Sequence, residues 1–273
     1  MKKIYFEVSA INRAVDEGQP AGLLHQQLVS RVQTPVVGLH AIYELARTFL
    51  NPQGIDRGKA LFQFVYELDP SYAPPADNLL NQEVARLRSG AAVLPFLDYV
   101  NQVATRMEIA RLAAGNFDAR ARQFLTSREQ EIQCNYPQMI DAYIRHVQRV
   151  KQRNPQRLAG IRSFDHVQHY FNPQLPEIIR AILREGITPA EAREFKARLQ
   201  EFPALRSTVN ANLFLMFVCI TQGAIPRVDK IDDHRHIIEA SYCDATVIQD
   251  KQLRRNASRI NPDLKVLSLA NLS

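Results

Sequence analysis

The chain has 273 residues, 46% of them hydrophobic, enough to bury one sizeable core or two modest ones. It has no run of about 18 uncharged apolar residues, so no membrane-spanning helix is expected. The segment Met1-Lys2-Lys3-Ile4-Tyr5-Phe6 starts basic and turns apolar, but Glu7 and Asn12-Arg13 interrupt it before a signal-peptide core can form. A soluble, cytoplasmic protein is expected.

Cys134, Cys219 and Cys243 are widely spaced and form no CxxC pair, which reads as reduced thiols held in the fold. The net charge of +6 is local. Between residues 145 and 162 stand Arg145, Arg149, Lys151, Arg153, Arg157 and Arg162 without one acid, and these six equal the whole surplus. Such a patch on a neutral body suits a polyanion; the other reading is a solvated helix face.

Lys3–Val8 reads as a first strand, rich in aromatic and β-branched residues. Ala10–Glu17 and Ala21–Arg31 read as helices, Thr34–Leu39 as a second strand, and His40–Phe49 as a helix. Strand, helix, strand, helix at this tempo implies a parallel α/β sheet flanked by helices. From about Gly58 to Pro203 the pattern is helical without a strand. The segments are Asn78–Arg88, Pro95–Ala114, Ala119–Cys134, Pro137–Arg153, Leu175–Arg184 and Pro189–Glu201. Thr188-Pro189-Ala190-Glu191 has the form of a capping box with proline at the first helical position. The tail returns to the α/β tempo: helix Thr208–Thr221, helix Asp232–Ser241, strand Ala245–Ile248, basic helix Lys251–Arg259 and strand Leu264–Leu267. The expected organisation is a discontinuous α/β core of residues 1–57 and 204–273 carrying an all-α insertion, residues 58–203.

Four acids fall where such a sheet exposes side chains. Glu7 ends the first strand, Glu44 lies in the helix after the second, Asp233 or its neighbour Asp232 opens a helix, and Asp250 follows the strand at 245–248. Ligands bind beyond the carboxyl ends of parallel strands. Carboxylates converging there repel one another unless a cation lies between them, and hard oxygen donors suit Mg²⁺ or Mn²⁺. Ser9 and Asn12, just past the first strand, can bond a carboxylate or a phosphate, or cap the next turn.

The segments that carry these acids are KIYFEVSAINRAVDEG, PVVGLHAIYELART and DDHRHIIEASYCDATVIQDKQLRR. They resemble the motifs of PIN-domain nucleases, the last through a D-x-x-H…Y-C-D…D-K-x-L-R element. The resemblance covers roughly residues 1–50 and 208–273. It implies a PIN-like fold, Mg²⁺ or Mn²⁺ held by Glu7, Glu44, Asp233 and Asp250, with Asp244 as a supporting acid, and hydrolysis of RNA. It departs from the family at Glu7, where aspartate is usual, and at Ile248, where Thr or Ser is usual.

His234 and His236 invite a zinc reading, but alternate residues of a helix face different ways and no cysteine or third histidine stands at ligand spacing. Asp165, His166 and His169 read as surface polarity. Tyr136, Tyr143, Tyr170 and Phe171 near the basic run can stack on bases or pack in a helical core. Three functions follow. The first is a metal-dependent endoribonuclease guided by the basic run. The second is a non-catalytic nucleic-acid-binding module using the same cleft. The third is an interaction protein whose helical insertion docks an inhibitor or antitoxin-like partner.

Overall fold

Phe6, the last residue of the first strand, is fully buried, and the next side chain, Glu7, turns back to cap a helix. This change from strand to cap fixes where the sheet ends and the site begins. In the computed structural model the described residues are 1–153, 155–183, 186–223 and 227–272, less the side chains of 139, 142, 157 and 228–230. The side chain of Arg157 in the basic run and the Arg184 helix end therefore lie outside what is described.

The elements run β1 (Lys2–Phe6), α1 (Val8–Asp16), α2 (Ala21–Ser30), β2 (Gln33–Gly38), α3 (Leu39–Ala46), α4 (Ile55–Leu68), β3 (Ser71–Ala73) and α5 (Ala76–Ser89). They continue with α6 (Tyr99–Ala113), α7 (Ala119–Arg153), α8 (Pro155–Ala159), α9 (Phe164–Phe171), α10 (Leu175–Leu183), α11 (Pro189–Ala197) and α12 (Pro203–Gln222). The tail holds α13 (Val228–Glu239), β4 (Ala245–Val247), α14 (Lys251–Ile260) and β5 (Lys265–Leu267).

The five strands form one parallel sheet in the order β3-β2-β1-β4-β5. The chain's two ends meet at its centre, with Tyr5 opposite Val36 on one side and Thr246 on the other. Alternate side chains enter different cores. Ile4, Phe6, Val37 and Val247 pack with α1, α2, α4 and α6, while Tyr5, Val36 and Ala73 pack with α5 and α9–α14. Strands covered on both faces read as continuous apolar runs, which is why β1 and β4 are legible without alternation.

Two expectations about the middle are corrected. β3 lies inside the segment expected to lack strands and pairs with β2, Val37 opposite Tyr72. The segments 119–134 and 137–153 are one 35-residue helix, α7, running through Pro137. A proline inside a helix removes a hydrogen bond and costs ~3 kcal/mol. Burial of Leu125, Ile140 and Val147 along one stripe of α7 offsets that cost. The capping box of α11 forms as expected, Thr188 Oγ1 accepting from Glu191 N and Glu191 Oε2 from Thr188 N.

α12 is, among the described residues, long and apolar enough to cross a membrane, with a mean hydropathy of 1.3, yet 67% of that window is buried in this fold. Its start is held by Glu83 of α5, whose carboxylate accepts from Ala204 N and Leu205 N at 2.8 Å each and from Tyr242 Oη at 2.7 Å. No pair of the three cysteines is bonded: Cys219 is buried, Cys243 half-buried and Cys134 exposed.

Candidate active site

Glu7 stands at the carboxyl end of β1 as the N-cap of α1. Its Oε2 accepts from Ser9 N at 2.8 Å and from the Ser9 hydroxyl. The same hydroxyl oxygen accepts from Gln249 N at 3.0 Å and Asp250 N at 3.1 Å, just past β4. Ser9 thus ties the acid of β1 to the acid after β4. Asp250 is the N-cap of α14, its Oδ1 accepting from Leu253 N at 2.5 Å. Asn12 accepts from Arg57 through Oδ1 at 2.9 Å and donates to Val8 O at 3.0 Å.

Glu7, Ser9, Asn12, Glu44, Asp233 and Asp250 line one open cleft of about 480 Å³. The four expected acids share this surface with Ser9 and Asn12, while the other expected supporting residues, Asp232 and Asp244, do not line it. A neighbouring groove of about 570 Å³ shares Glu44 and Asp233 and continues past Arg47, Gln133, Tyr136 and Arg227. Asp232 lines this groove and lies 3.5 Å from Arg235 Nε. Asp232 and Asp233 do not open their helix as expected. α13 starts at Val228, so both lie within its second turn.

Asp244 is a second correction. It precedes β4 and accepts from Lys3 N at 2.6 Å, at the amino end of the parallel strands. The three residues of β4 separate it from the cleft by about 10 Å. It is not placed to support the other acids.

The basic run is a third. Arg145, Arg149 and Arg153 are exposed at four-residue spacing along α7. Tyr136, on the groove, is nine residues before Arg145, and at about 100° per residue the two face opposite sides of α7. Lys151 leaves the stripe to donate to Cys219 O at 3.3 Å. Exposed Arg162 lies beyond α8, its N–H on His166 Nδ1 at 3.3 Å. The cations on the groove itself are Arg47 and Arg227. Of the aromatic residues, Tyr136 lines that groove, Tyr143 donates to Asn212 O at 3.2 Å, and Phe171 is buried with Tyr170 against it.

Two histidines complete the site. His236 lies between the acids, its Nε2 3.1 Å from Glu44 Oε2 and 4.0 Å from Glu7 Oε1. His40, one turn before Glu44 on α3, brings Nε2 to 3.3 Å from Glu44 Oε1. That contact is an ion-pair distance and not a hydrogen bond, so the buried nitrogen has the Glu44 carboxylate beside it but no hydrogen-bond partner. Behind His236, Tyr5 Oη lies 3.1 Å from Nδ1 and donates to Glu239 Oε2 at 3.0 Å. Gly38 makes room for this layer: a Cβ there would stand 1.8 Å from Glu239 Oε2 and 2.4 Å from Tyr5 Oη. His234 turns elsewhere, against the Phe214 ring.

Burial and charge set the protonation states. Burial alone would lower the His236 pKa, but its bond and charge interaction with Glu44, then Glu7 and Glu239, outweigh it and raise it to about 9. Burial likewise raises Glu44, yet His236 and His40 more than reverse this and hold it well below the usual carboxylate range. Burial lowers His40 more than Glu44 raises it, so its ring is neutral at pH 7. Burial raises Glu7 despite His236 and Ser9, and raises Glu239 to about 8.

Carboxylate oxygens are the donor type that Mg²⁺ or Mn²⁺ takes, but among the described residues no three of the four acids bring ligand oxygens within 4.8 Å of one another; only His40, Glu44 and His236 group so closely. Glu7 and Asp250 each commit one oxygen to a backbone N–H and retain the other. Comparison with protein-family models, curated proteins and solved structures returns no match to this chain.

Proposed function

We propose that the chain is a metal-dependent nucleic-acid phosphodiesterase of PIN type, acting on RNA at the cleft between β1 and β4. The observation that supports this most is the shared cleft of Glu7, Glu44, Asp233 and Asp250, drawn from both ends of the chain. A divalent cation bound there would neutralise these acids and the developing charge on the phosphate. Ser9 fixes two of the acids relative to each other through its contacts with Glu7 and the Asp250 N–H. Arg47 and Arg227 stand among four acids in the neighbouring groove, Arg47 paired with Glu129 at 2.9 Å, and Tyr136 there offers a ring to a base.

One observation favours a second reading, a binding module without cleavage. The His236 imidazolium already stands between Glu7 and Glu44, where a cation would otherwise relieve their repulsion. Asp250→Asn distinguishes the two. Asparagine caps a helix as well as aspartate does, so the fold is retained. Loss of Mg²⁺- or Mn²⁺-dependent cleavage of a single-stranded RNA, with the melting temperature unchanged, supports the enzyme. Wild-type protein that binds RNA and does not cut it in either metal leaves the binding module.

A further inference from the structure

We propose that His40, Glu44 and His236 form a binding site for a borderline transition-metal ion, Zn²⁺ in the first instance, buried behind the point where Glu44 lines the cleft. The site shares Glu44 with the phosphodiesterase centre and does not depend on RNA cleavage.

The donor atoms of these three residues all lie within 4.8 Å of one another. Bonds of about 2.0–2.1 Å to a tetrahedral ion put neighbouring donors about 3.3 Å apart. Glu44 turns one oxygen to each histidine at about that spacing, Oε1 3.3 Å from His40 Nε2 and Oε2 3.1 Å from His236 Nε2. Two imidazoles and one carboxylate form a set preferred by Zn²⁺ and its neighbours, not by Mg²⁺.

The His40 nitrogen is the independent observation. The residue is 9% exposed, and its Nε2 faces the cluster with no hydrogen-bond partner. A buried nitrogen left without a hydrogen bond destabilises the fold unless something else satisfies it. A metal ion between His40 and Glu44 would satisfy it.

The layer behind His236 suits the same role. Tyr5 gives its hydroxyl proton to Glu239, so its oxygen can accept only from His236 Nδ1–H. In the neutral ring this leaves the Nε2 lone pair directed at Glu44 and Glu7. A lone pair facing two carboxylates is repelled, so Nε2 must hold a proton or a metal ion. Metal-binding histidines characteristically donate their other ring N–H in this way, which fixes the tautomer. Glu7 Oε1, 4.0 Å from His236 Nε2, stands on the cleft side, where a further ligand could enter.

The test uses chelator-stripped full-length chain carrying Cys134→Ser, which removes the exposed thiol. Zn²⁺ binding is measured by calorimetry in millimolar Mg²⁺. We expect one ion per chain, with affinity at least ~10-fold weaker in His40→Gln and in His236→Gln and unchanged in Asp250→Asn. Co²⁺ should give a d–d absorption band of nitrogen ligation in the wild type, and this band should be lost in His40→Gln. Should His236→Gln fail to fold, His40→Gln and the Co²⁺ spectrum still decide. Zn²⁺ affinity that is absent from the wild type, or equal in His40→Gln, overturns the site and leaves His236 as a permanent imidazolium. Binding that fails only in Asp250→Asn assigns the ion to the acidic cleft instead.

Discussion

The Ser9 hydroxyl accepts the backbone N–H of Asp250 at 3.1 Å, across 241 residues of chain, while donating to Glu7. One side chain therefore sets the spacing between an acid from the first strand and an acid that follows the fourth. The Gln249 N–H shares the same acceptor at 3.0 Å.

Ser9→Ala should leave both amides without that acceptor and Glu7 with only the backbone N–H of residue 9 as donor. Unsatisfied groups of this kind cost about 1–3 kcal/mol, measurable by urea denaturation. RNA cleavage should fall more than stability does, because the acids lose their common anchor. Cleavage unchanged from the wild type would mean that Ser9 does not position them.

Glu7→Asp shortens a carboxylate whose Oε2 is pinned by Ser9 N at 2.8 Å. Aspartate can keep the cap, but only by drawing its other oxygen back from His236 and Glu44. The geometry is built around glutamate, so cleavage should drop by ~10-fold or more. A gain in cleavage would show instead that the longer side chain holds the cation off its best position.

The meeting of the two chain ends was legible because β1 and β4 are apolar runs that turn acidic at their carboxyl ends. β3 was not. Ser71-Tyr72-Ala73 lies between Pro70 and Pro74-Pro75, which reads as loop, and only its pairing with β2 makes it a strand. The order and strand contexts of Glu7, Glu44, Asp233 and Asp250 are legible in the sequence, and the fold sets all four along one cleft. Asp244 was misplaced because nearness to β4 in sequence does not say which end of the strand a residue occupies. His236 was visible in the D-x-x-H element and dismissed for want of a partner. That partner, His40, is four residues before Glu44, a spacing that also describes an ordinary helix-surface pair.

Glu83→Ala should be among the most destabilising substitutions far from the cleft. The carboxylate is 1% exposed and accepts from Ala204 N, Leu205 N and Tyr242 Oη. Two buried amides and the half-buried Tyr242 hydroxyl would lose their acceptor, for a combined cost of about 3 kcal/mol or more. Urea denaturation should register this cost with RNA binding intact in the folded fraction. A loss below about 1 kcal/mol would mean that α12 relaxes to find other acceptors.

Replacing Arg145, Arg149 and Arg153 together by Gln removes a stripe that faces away from the groove. The maximal cleavage rate should be unchanged. If the stripe meets the RNA outside the site, the salt dependence of binding should flatten by roughly 0.7 per contact for a single strand. A fall in maximal rate would place the stripe nearer the acids than the helix geometry does.

The metal-free protein should lose stability as pH rises from about 4.5 to 9. Glu239 has its folded-state pKa raised from 4.5 to about 8, and His236 from 6.5 to about 9. Both pKa values lie above their unfolded values, so the native state binds more protons than the unfolded chain, and stability falls with pH. The Glu239 contribution is complete below pH 4.5 and is lost through about pH 8. The His236 contribution is complete below pH 6.5 and is lost through about pH 9. Glu44 acts in the opposite sense: its pKa is depressed, so its stabilisation is lost only as pH falls below its ordinary value of 4.5. Glu239→Gln keeps an acceptor for Tyr5 and removes the titration. It should make the fall between pH 4.5 and 6.5 shallower, leaving there the contribution of Glu7, whose pKa is also raised, and above 6.5 the fall that belongs to His236. Urea midpoints across this range measure the effect. A Glu239→Gln curve as steep as the wild type's below pH 6.5 would assign the loss to another group.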